Sequence, residues 1–496
     1  MEIPQYIKEI LTNLEKAGYE AFIVGGCVRD LLMEKKPKDW DITTNARPEE
    51  ILKVFPNGKY ENIFGTVLIP VKNEGGEVLD VVETTTYRSE QGYSDRRHPD
   101  EITFETRLDK DLERRDFTIN AMAMSIDNCQ LTIVNSKKYC EKINDYFLID
   151  LFGGRKDMKD KVIRAVGEPA DRFKEDALRM MRTVRFFSEL GFEIEPKTER
   201  AITKLAGSIK FVSKERIRDE LVRMLSSDRP YEAVIKLHEL KLLQYIIPEL
   251  EKGIGVAQDR HHIHTVFKHS VLALKFCPSK DWRVRLAALL HDIAKPDTKR
   301  MDKGHATFYN HDILGAKYAK KIAQRLKLSV ADSEKVATLV RNHMFYYNVD
   351  EVTAASVRRL IKKVGEENLK DLIDLRIADR LGSGVPKAKP YKLRHLEYMM
   401  KKVRKDPLSV KMLKISGNDI MKILNTRPGP KIGAMLDVLL AEVIEDPELN
   451  VKVKLEKRAR ELDSFGLDEL REKAREKIDE KKEEEDNELK KEFWVK

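Results

Sequence analysis

The hydrophobic and polar positions of this chain change period about a third of the way along. Residues 1–19 repeat apolar positions at helical spacing and predict an amphipathic helix. AFIVGG follows as a short apolar run ending in a glycine turn, the pattern of a buried strand. Further strand-like runs come around WDITT and VLIPV and across EVLDVVETTTYR. From about residue 156 long amphipathic helices take over, among them EDALRMMRTVRFFSELG, ERAITKLAG and KERIRDELVRMLSS. A break at Lys252–Gly255 opens a histidine-dense helical stretch to about Arg380, and LGSGVPKAKP reads as a linker. Helical segments then run to about 465, before the low-complexity tail REKAREKIDEKKEEEDNELKK. No repeat of 20–50 residues is present. Strands first and helices afterwards predict an α+β chain.

Within the strand-rich part, Asp39 and Asp41 lie in KDWDIT. Residues i and i+2 of a strand share a face, so the two carboxylates are expected to converge as hard oxygen ligands for Mg²⁺. Upstream, IVGGCVRDLL sets Gly25 and Gly26 before a predicted helix, where backbone N–H groups can approach a triphosphate and Arg29 adds charge. A lone Asp-x-Asp is usually a solvated turn. The glycine pair, VRD and the acidic pair within 20 residues form a much stronger signal. Glu83 in VVETTTYR is the candidate third carboxylate, with Asp80 its competitor on the opposite strand face.

These motifs, followed by LERRDFTINAMAM at 112–124, LIDLFGG at 148–154, EDALRMMRTVRF at 175–186 and KERIRDELVRML at 214–225, resemble in order those of class II tRNA nucleotidyltransferases and their relatives, the bacterial poly(A) polymerases. The resemblance covers about residues 20–450. It implies a polymerase-β-type head with a mixed sheet, then a mostly helical neck, an HD domain and a C-terminal body. The expected boundaries are 1–155 for the head, 156–250 for the neck, 251–385 for the HD domain, 386–465 for a tRNA-binding body and 466–496 for a charged tail. It implies that Arg115 and Asp116 face the ribose and that Asp176 and Arg179 read the incoming base. The chemistry agrees with that last role. A carboxylate accepts from an exocyclic amine while a guanidinium donates to ring acceptors, so cytosine and adenine fit and uracil and guanine are repelled. Spacing i, i+3 places the pair on one helix face, with Arg182 and Arg185 continuing the ridge towards phosphate.

The implied reaction is addition of C, C and A to the 3′ end of tRNA from CTP and ATP, with Asp39, Asp41 and Glu83 as catalytic carboxylates, two Mg²⁺ ions and release of pyrophosphate. Within the class the alternatives are a poly(A) polymerase and a partial CC- or A-adding enzyme. RSEQGYSDRRHPDEITF (88–104) resembles the loop needed for switching from C to A, which favours full CCA addition. The stretch 126–150 is longer than expected between these motifs and is read as a lengthened hairpin away from the active site.

Seven of the 11 histidines fall between 261 and 311. His269, the adjacent His291-Asp292, His311, His343 and Asp379 follow the order of the HD phosphohydrolase superfamily, which they resemble. The resemblance makes His269, His291, Asp292 and Asp379 ligands of a divalent metal whose identity the mixed ligands leave open. His311 and His343 suit a second metal or a phosphate. An HD-type phosphohydrolase acting on RNA ends, such as a 2′,3′-cyclic phosphate, is the alternative from a different class.

Charge sharpens the choice of partner. The chain carries 93 Lys+Arg against 84 Asp+Glu, net +9, but residues 461–496 alone hold 14 acids and 9 bases, leaving the rest at +14. Between Pro386 and Lys414 there are ten basic and two acidic residues. Lys387, Lys389, Lys392, Arg394, Lys401, Lys402, Arg404 and Lys405 form the candidate RNA phosphate track, while the tail is expected to stand apart. The region 415–450 resembles the C-terminal part of bacterial CCA-adding enzymes, with Pro428-Gly429-Pro430 as a turn. No apolar run is long enough to span a membrane and no signal-peptide centre is present, so a cytoplasmic protein is expected, with no protein partner inferred. The four cysteines form no CxxC and read as packing residues.

Overall fold

The apolar AFIV run becomes strand β1 (Ala21–Val24), and all four of its residues are buried. Burial on both faces explains why it reads as continuous rather than alternating. The structure, a computed structural model, describes residues 2–62, 65–73, 75–91, 101–126, 139–258, 263–302, 304–349, 351–404 and 410–495. After β1 come β2 (Asp41–Thr44), β3 (Lys59–Asn62), β4 (Thr66–Lys72) and β5 (Val78–Thr86), then a separate hairpin of β6 (Arg88–Gln91) and β7 (Glu101–Phe104). Strands β8 (Met122–Ser125), β9 (Cys140–Ile143) and β10 (Tyr146–Asp150) complete the head. Among the described residues the main sheet has the order β3-β4-β5-β2-β1-β8-β10-β9. The β2–β5 pair is parallel and the other pairs are antiparallel, so the sheet is mixed as expected.

One sheet face packs Ile23, Ile42, Val67, Val82 and Met124 against Ile7, Leu11 and Leu14 of the N-terminal helix Gln5–Lys16. The other packs Phe22 and Val24 with Tyr87, Leu108, Leu112 and Ile149. The long stretch 126–150 ends in the β9–β10 hairpin at the sheet edge opposite β3, with β10, β8 and β1 between it and β2. Its residues 127–138, and residues 92–100 of the expected C-to-A switching loop, lie outside the described residues. Cys27 and Cys277 are buried free thiols, whereas Cys140 is disulfide-bonded, which corrects its reading as a packing residue.

Beyond the head the chain is almost wholly helical. It divides into two units, Met1–Arg341 with Gly382–Gly384, and Asn342–Leu381 with Val385–Lys496. The first holds head, neck and the first histidine-bearing helices. The second has its own core, in which Ile420, Met435, Leu439, Leu455, Leu462 and Leu470 are buried together. There, Ser416 and Asp419 form a capping box, and Pro430 opens the helix Pro430–Glu445 behind Gly429, as the Pro-Gly-Pro turn predicts. The charged tail does not stand apart. It is the helix Leu467–Phe493, with Leu489 and Val495 buried against Tyr398. A polar-looking segment thus docks by a few apolar positions that its charge run conceals. Among the described residues no helix is long and apolar enough to cross a membrane.

Candidate active site and histidine cluster

Parallel pairing of β2 with β5 sets Asp41 directly beside Glu83. Cα partners in neighbouring strands point to the same face, so the two carboxylates are held side by side by backbone register alone. Asp80, at even parity, lies on the other face and accepts the Tyr6 hydroxyl at 2.8 Å. Asp39 departs from the expectation: β2 begins at Asp41, and Asp39 occupies an exposed bend two residues earlier. A chain leaving a sheet no longer obeys the alternation, but its charge still reaches the site. Burial raises the Asp41 carboxyl, nearby Arg115 lowers it and Asp39 raises it. Burial and the charges of Asp41, Glu61 and Asp39 all push Glu83 up. Carboxylates raised by burial and by neighbouring acids are a donor set suited to a divalent cation.

Gly25 borders this cluster at φ +81°, where a Cβ would stand 2.9 Å from Arg115 Nη1 and 3.2 Å from Asp41 Oδ2. The positive φ requires glycine, and any side chain here would also have to push the Arg115 guanidinium aside. Gly26 then opens the helix Gly26–Leu32. Arg29 is not a loose cation: its guanidinium donates to Asp30 and to Asn120 Oδ1 at 2.7 Å. Arg115 is positioned by Asp111, a buried carboxylate that also takes Arg114 at 2.6 Å.

The neck brings its arginines to the same region. In the helix Leu178–Leu190, Arg182 Nε donates to Asp116 at 2.7 Å, and Arg179 Nη2 donates to the Arg114 carbonyl at 2.9 Å. Burial alone would raise Asp116, but the Arg182 and Arg179 guanidiniums and the bonds from Arg182 and Asn120 hold it at about 2. Asp176 and Arg179 do not share a helix face as the spacing suggested. Asp176 lies in the extended junction before the helix (φ −139°, ψ 105°), where its Oδ1 accepts the Leu178 N–H. Arg216, from the helix Lys214–Ser226, holds both of its oxygens at 3.2 and 2.6 Å, and Arg179 pairs with Glu175. Arg185 is a second departure. It is 3 % exposed and paired with Glu220 at 3.1 Å, facing the neck interior rather than a phosphate.

In the histidine-rich part, His269 sits in the helix Val266–Lys275, His291 caps Trp282–Leu290, and His311 starts His311–Arg325. All three are buried with Asp292. His269 and His291 approach Asp292 Oδ2 at 3.2 Å each, and His311 approaches Oδ1 at 3.3 Å. His291 Nδ1 donates to the Ala288 carbonyl at 2.8 Å and His311 Nδ1 to that of Phe308 at 2.7 Å. Both rings thereby turn Nε2 towards the carboxylate, and His291 Nε2 lies 2.9 Å from His269 Nε2. Such convergence fits a cation. Burial opposes ionisation of Asp292, yet the charges of His291 and Lys295 and the bonds from His269 and His291 keep it well below the carboxylate range. His343 and Asp379, both buried, belong to the second unit.

Three family descriptions match consecutive stretches: the Poly A polymerase head domain over residues 21–164, the probable RNA and SrmB-binding site of polymerase A over 191–254, and the HD domain over 261–383. An A-adding tRNA nucleotidyltransferase of Deinococcus radiodurans is 33 % identical over 436 residues, covering 84 % of this chain and 90 % of that one. The chain belongs to the tRNA nucleotidyltransferase/poly(A) polymerase family. A CCA-adding enzyme of Lactobacillus helveticus is 47 % identical over 216 residues, 43 % of this chain, so the match spans about half (48 %) of that relative's length. Among solved structures, the Bacillus stearothermophilus CCA-adding enzyme in complex with CTP is 26 % identical, with 94 % of this chain and 98 % of that one covered at a TM-score of 0.58. A Thermotoga maritima CCA-adding enzyme complexed with tRNA shares the fold at 18 % identity, 92 % and 96 % coverage and a TM-score of 0.52.

Several residues of this family member's sites escaped the sequence reading. Asp111 was visible as an acid three and four residues before Arg114 and Arg115, and Lys295 as the i+3 partner of Asp292. Lys295 Nζ lies 2.6 Å from Asp292 and 2.7 Å from Gln258. Arg216 carried no local signal. On the expected phosphate track, the helix Tyr391–Arg404 presents Lys392 exposed, while Lys389 pairs with Glu397. Lys401 and Lys402 pair with Glu492 and Asp486 of the tail helix. Lys387 is exposed, Arg394 lies over the Tyr391 ring at 6.0 Å, and Lys405 falls outside the described residues.

Proposed function

We propose that the chain adds C, C and A to the 3′ end of tRNA, taking CTP and ATP and releasing pyrophosphate. The observation that carries this is the Asp41–Glu83 register beside Gly25 and Arg115, with Arg182 and Arg179 of the neck bonded to Asp116 and the Arg114 carbonyl. Asp39, Asp41 and Glu83 would hold Mg²⁺, which when bound supplies charge neutralisation for the triphosphate and the attacking 3′-hydroxyl. Gly25 leaves room for the phosphates to come close to backbone and to Arg115. Asp116, kept ionised by Arg182, accepts from a ribose hydroxyl and so favours ribonucleotides. Asp176 accepts the exocyclic amine of cytosine or adenine through the lone pairs Arg216 leaves free, and Arg179 donates to the ring nitrogen. A working place in the cytoplasm follows from these substrates.

The full-length likeness to an A-adding enzyme favours a second reading, addition of A alone to tRNA already ending in CC. One experiment separates them. Transcripts lacking CCA and transcripts ending in CC are incubated with each nucleotide and Mg²⁺, and the added residues are sequenced. CCA on the first transcript supports the proposal, and A on the second alone supports the narrower activity. Long A tails on generic RNA would point to a poly(A) polymerase, and ready use of UTP or GTP would sink the Asp176/Arg179 assignment.

His269, His291, Asp292 and Asp379 are proposed to hold one divalent metal, with His311 and His343 for a second metal or a phosphate. Activity on RNA ending in a 2′,3′-cyclic phosphate, assayed with Ni²⁺, Mn²⁺ and Mg²⁺ in turn, tests whether that centre is hydrolytic.

A further inference from the structure

The tail helix Leu467–Phe493 lays its last turns along the helix Tyr391–Arg404. Leu489 and Val495 are buried with Tyr398, and Phe493 and Met399 pack beside them. Around this apolar seam the charges are matched. Asp486 takes the Lys402 ammonium at 2.5 Å and the Tyr398 hydroxyl at 2.5 Å, with Lys490 at 3.0 Å. Glu492 takes Lys401 Nζ at 2.6 Å through both oxygens. Lys401 and Glu492 are 41 % and 52 % exposed, so that pair faces water and exchanges partners cheaply, whereas Asp486 is 17 % exposed beside a lysine at 47 %.

We propose that the end of the tail helix is an intramolecular competitor of RNA: Asp486 and Glu492 occupy Lys401 and Lys402 as phosphates would, and tRNA must displace these carboxylates to use the full basic helix. The inference rests on the reading of 387–405 as the phosphate track. The apolar seam makes the competition local. Leu489 and Val495 keep the helix docked while its carboxylates yield the ammoniums. Glu492, half exposed, yields first, and Asp486, held by three donors, yields last.

The test measures affinity of the full chain for tRNA lacking CCA, by fluorescence anisotropy across a salt series. Asp486→Asn/Glu492→Gln keeps the side-chain size and one acceptor oxygen each but removes the competing charge. Binding is expected to tighten between about twofold and about tenfold at low salt, the range for two ion pairs that water reaches at least on the lysine side. The dependence of log K on log salt should steepen by up to about two. Glu492→Gln alone, outside the buried seam, should shift in the same direction by a smaller factor. Adding Lys401→Ala/Lys402→Ala to the double variant should remove the gain. Unchanged affinity and salt slope in the neutralised variants overturn the competitor. A Lys387→Ala/Lys389→Ala/Lys392→Ala variant separates the failures: if it binds tRNA as tightly as the parent, the track itself is wrong and the competitor falls with it.

Discussion

In the head, Asp41 and Glu83 stand side by side with Asp39 near; burial and the Asp39 charge push Asp41 up, and burial with the charges of Asp41 and Asp39 pushes Glu83 up. In the histidine cluster, Asp292 is drawn far the other way, closed in by His269, His291, His311 and the buried ammonium of Lys295. Both groups are suited to divalent cations, yet they are prepared differently. The head leaves net negative charge at the partly open start of β2, which suits ions that arrive and leave with a triphosphate. The cluster hides its carboxylate among buried imidazoles, of which His291 and His311 meet a backbone carbonyl through Nδ1, and that suits a resident ion. Arg115 could have quenched the head acids as Lys295 quenches Asp292, but Asp111 draws part of its guanidinium away.

The largest test of this contrast removes one partner from the head. Asp41→Ala should reduce nucleotide incorporation to background in a CTP/ATP addition assay while metal retained at the histidine cluster, read by elemental analysis, stays unchanged. Loss of both would mean that the two sites are not independent. Next comes Asp292→Ala, which strands the Lys295 ammonium in a site where that lysine is 6 % exposed. Stability in chelator-treated buffer should fall by about 3–5 kcal/mol, seen as a lower denaturation midpoint. Lys295→Met in the same background should restore part of it, and no drop would show that the pair is not buried in solution.

A smaller effect probes the arginine-held acid between head and neck. Asp116 has its pKa lowered from 3.8 to about 2, so its stabilisation is complete above the unfolded value and is lost as pH falls from about 4 to about 2. That loss is worth about 2 kcal/mol. Asp116→Asn should flatten the acid limb of the stability profile by that amount. An identical limb would remove Asp116 as a source of acid sensitivity.

What could be read from sequence followed distance along the chain. Gly25, Asp41 and the adjacent His291-Asp292 are local signals, and the structure sets Gly25 beside Asp41 and Asp292 beside His269 and His291. Local rules failed where an element ended early. Asp39 lies before its strand and Asp176 before its helix, so i+2 and i+3 arguments did not apply to them. Arg185 obeyed the helical period, but packing against Glu220 turned that position inward.

By itself the sequence determined the succession of strands and helices, the order of motifs and hence the family, because periodicity and short spacings are properties of neighbouring residues. It also named most of the groups that carry charge. The tertiary structure decided which of those charges meet. Arg216 reaches Asp176 across 40 residues, and Asp486 reaches Tyr398 across 88. Such pairings depend on how separate helices dock through a few apolar contacts, and nothing in a local pattern encodes them. Lys401 and Lys402 and the acidic tail, separate in the sequence, meet for that reason in the fold.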